Sequence, residues 1–164
     1  LVGQHQQIAG IGTASQTDLD SYRRALDLNF LTTVSLCNAA VDVMRAAGWG
    51  RILAITSIGA RQPIGGLAAS SAARAAATSY VKNLSREVAA DGVTANTIQP
   101  GSHDTERIRS MHGDTAGAAA AIPVGHLGDP ADFGAVAAFL CSQRARFVTG
   151  ASVIVDGGAS LGLQ

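Results

Sequence analysis

The residues best placed to do chemistry lie between Ser57 and Arg74, in the stretch SIGARQPIGGLAASSAAR. RILAITS (51–57) is a continuous apolar run ending on a hydroxyl, which places Ser57 at the end of a buried strand. Gly59, Pro63, Gly65 and Gly66 make the next segment a loop, and an Ala-rich helix opens near Ala68. On that helix Ser70 and Arg74 are four residues apart, so a hydroxyl and a guanidinium stand one turn from each other. A hydroxyl beside a cation is the raw material of general acid/base catalysis. A serine hydroxyl, however, is a much weaker acid than a phenol, whose pKa is about 10. Asn29 is the other polar residue out of place. It sits mid-helix among apolar neighbours, where asparagine is a poor helix former unless its amide has a task.

Other constellations are excluded. Cys37 and Cys141 sit inside apolar helical patterns with no CxxC and no histidine at ligand spacing, so they read as reduced, buried thiols rather than a metal site or a disulfide. His5, His112 and His126 are scattered and read as solvated, and the acidic residues form no paired-carboxylate arrangement. The formal net charge is zero, with no Lys/Arg cluster, so nothing suggests a nucleic-acid surface. No apolar run has the length of a membrane span, and nothing reads as a signal peptide. The expectation is a cytoplasmic protein that binds neither nucleic acid nor membrane.

The elements that must position these residues follow from pattern. The chain has 164 residues, 47% of them hydrophobic and only 15% charged, which suits one compact α/β domain. Leu1-Val2 reads as the end of a buried strand, and the lack of an initiator Met suggests that something upstream is not recorded. Residues 3–16 read as a loop. Thr17-Asp18 caps a long helix over about 18–46, whose apolar positions Leu19, Tyr22, Ala25, Leu26, Phe30, Val34 and Cys37 recur at helical spacing. The second helix runs over about 68–90 and stops at Asp91-Gly92. Its alanines reflect helix propensity alone, or close packing against another helix. Val93–Ile98 is a strand ending at Gln99-Pro100-Gly101. A short helix follows over 105–112, and 113–121 reads as a flexible flap. Asp129-Pro130 starts a third long helix to about Ser142, and Ala151–Val155 is a last strand. The order βαβαβ(α)αβ calls for a Rossmann-like, doubly wound parallel sheet.

In order and spacing these motifs resemble the C-terminal half of a short-chain dehydrogenase/reductase. LDLNF (26–30), RILAITS (51–57), the run 72–101 from AARAAATSY to TIQPG, and GHLGDPADFGAVAAFL with its continuation to VDGG (125–158) carry the resemblance, which extends from about Leu19 to Gly162. The resemblance implies a catalytic tetrad at Asn29, Ser57, Ser70 and Arg74. The counterpart of Asn29 holds a water in a proton relay, and that of Ser57 hydrogen-bonds the substrate. The last two positions hold Tyr and Lys in the family. There the Tyr transfers the proton, while the Lys lowers its pKa and binds the nicotinamide ribose. Pro100, Gly101 and Thr105 match a PGxxxT loop that holds the nicotinamide carboxamide of NAD or NADP. His103 takes the place of a usually aliphatic residue in that loop.

The departures are Ser70 for Tyr and Arg74 for Lys. Arginine keeps the charge but is bulkier. Tyr80 cannot stand in, because ten residues of helix set it about 15 Å away. The glycine-rich dinucleotide turn is absent, and Gly3-Gln4-His5-Gln6 stands where the family has Asn-Asn-Ala-Gly. Two readings stay open at each site residue. Ser57 is catalytic or caps its loop, Asn29 relays a proton or satisfies a kink, and Ser70 with Arg74 is an altered acid/base pair or a remnant. The expectation is a single domain over 1–164 that lacks the nucleotide-binding half. It would be a non-catalytic subunit assembling with itself or with an active paralogue in an NAD(P)-dependent alcohol dehydrogenase or ketoreductase. In the family the two long helices form one subunit interface, and the last helix, last strand and tail form another. The alternative is an active NAD(P)-dependent oxidoreductase with an atypical site and an unrecorded N-terminal half. No metal is expected.

Overall fold

The computed structural model describes residues 12–113 and 115–163. The strand end expected at Leu1-Val2 and most of the expected loop over 3–16, with Gly3-Gln4-His5-Gln6, lie outside the described residues.

Among the described residues three strands make one parallel sheet in the order β1 (Gly50–Ile55), β2 (Val93–Pro100), β3 (Ser152–Val155). The register runs from Gly50 opposite Val93 to Ile55 opposite Ile98, and from Thr97 opposite Ser152 to Pro100 opposite Val155. Helices cover both faces, which is the doubly wound α/β arrangement. On one face Val93 and Ala95 of β2, with Ile52 and Ala54 of β1, meet Val81, Leu84 and Val88 of α3 (Ala68–Val88) and Cys37 and Val41 of α2 (Thr32–Ala47). Burial of each such valine or leucine contributes about 1.5–3 kcal/mol. On the other face the Arg51 guanidinium donates to the Ser142 carbonyl at 3.3 Å, just beyond α6 (Pro130–Leu140). The central strand is therefore buried from Val93 to Gln99, as a run without alternation requires.

The caps form as their residue types dictate. Asp18 accepts from the Ser21 amide at 2.7 Å and opens α1 (Leu19–Leu26). Asp129 accepts from the Ala131 amide at 2.7 Å, with Pro130 in the first turn of α6. Gly48 and Gly92 close α2 and the 3-10 turn after α3, and these two chain turns meet. Gly92 has φ +74°, and a Cβ there would strike the Gly48 carbonyl. An Arg45–Asp91 ion pair at 3.0 Å ties the same two ends together.

Two expectations are refined and two need correction. The first long helix runs unbroken from Leu19 to Ala47, as expected, but its residues Asp27–Leu31 are π-helical rather than α-helical. Residues 113–121 are not simply a flap, because Thr115–Ala120 forms a helical turn, α5, after α4 (Glu106–His112). Alanine's helix propensity outweighs the single Gly117 there. Cys141 is exposed, while Cys37 is buried. The alanines of α3 do pack closely against another helix, as one of the two readings has it: Ala69 and Ala73 are fully buried against Ala25 of α1. Ala72 is the exposed member of that alanine run.

Candidate functional site

The structure brings three of the expected residues to the carboxyl end of β1. Ser57 has extended backbone, and its Oγ accepts from the Gly59 amide at 3.0 Å, capping the 3-10 turn Ile58–Ala60. Its own O–H hydrogen has no acceptor among the described residues. Ser70 and Arg74 lie in the first turns of α3, where the Arg74 Nε donates to Ser70 Oγ at a long 3.4 Å. The main work of Arg74 is elsewhere: Nη1 donates to the Ile55 carbonyl at 3.2 Å and to the Thr56 carbonyl at 2.5 Å. The guanidinium is thus fastened to the strand end that leads into Ser57. Burial pushes the Arg74 pKa below the usual arginine value, and the like charge of Arg107 pushes the same way. No carboxylate lies within 4 Å of Arg74 among the described residues.

Asn29 is not hydrogen-bonded to the other three. It lies in the π-helical segment, and its amide donates to the Ala25 carbonyl at 3.0 Å. Thr32 and Thr33 hydroxyls serve the Asp27 and Asn29 carbonyls at 3.0 Å each. A π segment displaces the regular ladder, and these side chains meet the carbonyls it leaves. Tyr80 is committed to the helix interface. Its hydroxyl donates to Asn38 Oδ1 at 3.1 Å, and its ring stands edge-on to Phe30. Ser71, which the residue pattern did not single out, lies nearer the Ser57 loop than its neighbour suggests. The Cβ position at Gly59 is 2.9 Å from Ser71 Oγ and 3.4 Å from Ser57 Oγ.

The Pro100-Gly101 turn serves the fold. The Gly101 amide donates to the Val155 carbonyl at 2.9 Å, and a Cβ on Gly101 would lie 2.6 Å from the Asp156 Cβ. Thr105 caps α4 by accepting from the Ile108 amide at 3.4 Å. His103 is buried, edge-on to Phe133 of α6 at 5.2 Å between ring centres. An aromatic ring therefore fills the apolar position beside α6. Among the described residues there is no glycine-rich phosphate turn, the space at Gly101 is filled by Asp156, and Arg74 and Thr105 are engaged. These residues do not by themselves make a dinucleotide site. Nor do any three His, Cys, Asp or Glu side chains converge as metal ligands among them.

Asp156 is the hinge of this region. Burial alone would raise its pKa, but hydrogen bonding from Ser160 and from the amides of Gly158 and Ala159 outweighs burial and holds the carboxyl below its ordinary value of 3.8. Oδ1 accepts from Gly158 N at 2.9 Å and Oδ2 from Ser160 N at 2.7 Å. A carboxylate held low stabilises the folded tail above its unfolded pKa and loses that contribution as pH falls through the folded value. Amide exchange at Gly158 and Ser160, corrected for intrinsic rates, will therefore lose protection on acidification. In Asp156→Ala protection should be low at every pH; a pH-dependent protection surviving in that variant would refute the assignment.

Comparison with known proteins agrees with this architecture. A family model described as enoyl-(acyl carrier protein) reductase matches residues 3–160. The chain is 33% identical over 140 residues to a 3-oxoacyl-(acyl-carrier-protein) reductase of Salmonella typhimurium, covering 85% of this chain and 57% of the relative. It is 33% identical over 138 residues to an acetoacetyl-CoA reductase of Cupriavidus necator, covering 84% of this chain and 56% of the relative. A solved structure of a short chain dehydrogenase/reductase family protein superposes with a TM-score of 0.84 at 32% identity, over 91% of this chain and 62% of that one. The chain thus spans little more than half the length of the curated relatives it matches.

Proposed function

The chain belongs to the short-chain dehydrogenase/reductase family, and from that premise we propose that it is a non-catalytic subunit of that fold, assembling with itself or with an active paralogue that binds NAD or NADP and carries out the alcohol/ketone interconversion. One observation carries the reading. At the two positions where the family's chemistry needs a phenol and an amine stand Ser70 and Arg74, and Arg74 is spent on the Ile55 and Thr56 carbonyls. A serine hydroxyl is too weak an acid for the proton step, and a guanidinium fastened to backbone does not tune one. Surface character supports assembly. Leu28, Leu31, Leu36 and Val43 are exposed along the π segment and α2, and Phe147 and Leu161 are exposed near the C-terminal end. The β1 edge also flanks an apolar groove lined by Leu36, Cys37, Ala40, Ile52 and Ile55. A cytoplasmic location belongs to the same proposal; among the described residues no helix is long and apolar enough to cross a membrane.

The second reading is an active NAD(P)-dependent oxidoreductase with an atypical site. It is favoured by the Ser57 hydroxyl, which keeps its hydrogen for a substrate oxygen, and by the reductases among the relatives. The test is nicotinamide oxidation with an acetoacetyl thioester, for the wild type and for Ser70→Tyr with Arg74→Lys. We expect no turnover from either when the chain is alone, and a stoichiometric complex with a larger family member by native mass spectrometry of protein from its source. Turnover in the wild type, or its appearance in the double variant, would install the oxidoreductase reading instead.

A further inference from the structure

We propose that the C-terminal tail, residues 156–161, is a strap that holds the loop after β1 shut across the carboxyl end of the sheet. The topology brings the two together. That loop, residues 57–67, leaves the carboxyl end of β1, and the tail leaves the carboxyl end of β3. β2 lies between these two strands, so a contact between loop and tail spans the central strand. The contact is made: the Leu161 amide donates to Gln62 Oε1 at 3.1 Å, across 99 residues of sequence. The turn that ends β2 lies against the base of the tail, where a Cβ on Gly101 would be 2.6 Å from the Asp156 Cβ. In an open parallel α/β sheet this is the end at which ligands enter, so a cover over it governs access.

The two partners differ in how firmly each is built. The tail has a frame of its own. The Asp156 carboxylate accepts from the Gly158 and Ser160 amides at 2.9 and 2.7 Å, and the Val124 amide donates to the Gly157 carbonyl at 3.2 Å. A Cβ on Gly157 would lie 2.6 Å from Val124 Cγ2 and 2.7 Å from Ile122 Cγ2, so the tail is seated closely on that segment. The loop has less. Its first part is one 3-10 turn, Ile58–Ala60, closed by the Ala60 and Arg61 amides on the Ser57 and Ile58 carbonyls, and hydrogen-bond geometry in such turns is poor. Gly65 and Gly66 follow, with open space where their side chains would be. The middle of the loop is tied to the far end of the chain instead. Arg61 Nη2 donates to the Ser152 carbonyl of β3 at 3.4 Å, and Gln62 takes the Leu161 amide. A framed tail gripping a weakly framed loop acts as a strap: when the grip is lost, it is the loop that opens.

The strap requires no turnover, so its test stands apart from the catalytic question. Amide exchange followed by NMR and corrected for intrinsic rates reads local opening of the loop, and the contact is cut from each side in turn. Gln62→Ala removes the acceptor. It should speed exchange at residues 60–62 by about fivefold, the change in an opening equilibrium that one ordinary hydrogen bond makes. Ending the chain at Ser160 removes the donor and leaves the loop sequence untouched. Leu161 is 94% exposed, so the shortened chain loses no core, and it should speed the same three amides by a similar factor. The two changes combined should do no more than either alone, because both cut one connection. The Thr97 amide, bonded to the Ala151 carbonyl inside the sheet, should exchange at an unchanged rate in all three, which separates loop opening from a loss of global stability. Unchanged exchange at residues 60–62 in either single variant, or effects that add in the combined one, overturns the proposal.

Discussion

Replacing Arg74 with methionine is expected to lower the unfolding free energy by about 2 kcal/mol, with the urea midpoint falling and the slope unchanged. The side chain donates to two carbonyls at the end of β1 and to Ser70 Oγ. Hydrogen bonds from a charged group are worth about 1.5–3 kcal/mol each, but the partial burial of the guanidinium offsets part of the gain. The Thr56 carbonyl matters most, because its bond is the shortest and Thr56 is buried. Its side chain is held in turn by the Thr78 hydroxyl at 3.4 Å, so α3 grips the strand end at two successive turns. Methionine keeps much of the apolar stem and none of the donors. Arg74→Lys should lose about half as much, since one ammonium cannot span what the fork spans. Ser70→Ala should change little, its bond to Arg74 being long and marginal. A change below about 0.5 kcal/mol in Arg74→Met would mean that the fastening is not what keeps Arg74 in place. The non-catalytic reading would then lose its main support.

How much of this was legible beforehand depends on the range of the forces involved. Caps are local, and Asp18 and Asp129-Pro130 announce their helices because a side-chain oxygen and a fixed φ act within one turn. The parallel sheet was legible for a similar reason: an uninterrupted apolar strand such as β2 must be covered on both faces. The π segment at Asn29 was not, although a polar residue amid an apolar helical face followed by Thr32 and Thr33 is its trace. The helical period alone cannot show where one residue is added to a turn. The alanines of α3 suit plain helix propensity or close packing against another helix, and the pattern does not say which helix; that it is α1 depends on how α1 and α3 cross. The positions Ser57, Ser70 and Arg74 were legible from motif spacing, but the destination of the Arg74 guanidinium was not. A long side chain takes its rotamer from the acceptors the fold brings near, here carbonyls nearly twenty residues earlier in the chain. The same holds for Gly101, whose closest neighbour, Asp156, comes from the far end of the chain.

The residue with the sharpest unmet need is Gln99, and its replacement by methionine is expected to stabilise the protein by about 1–3 kcal/mol. Gln99 is on the central strand opposite Ile154 and is completely buried. Neither its Nε2 nor its Oε1 has a hydrogen-bond partner among the described residues. In the unfolded chain both atoms are hydrated, and no protein group among the described residues replaces that hydration on folding. Methionine has the same unbranched length and a flexible thioether that fills the space with little strain. Removing a polar group that has no partner recovers its desolvation cost, the reverse of the usual outcome for a core substitution. Gln99→Glu should act the other way, since a carboxylate there would have no cation or donor and would be forced neutral. Urea denaturation of the two variants beside the wild type decides the matter. A lower midpoint for Gln99→Met would show that the amide is engaged in the native protein. A position immediately before the Pro100-Gly101 turn would then be serving a ligand or a buried water rather than the strand.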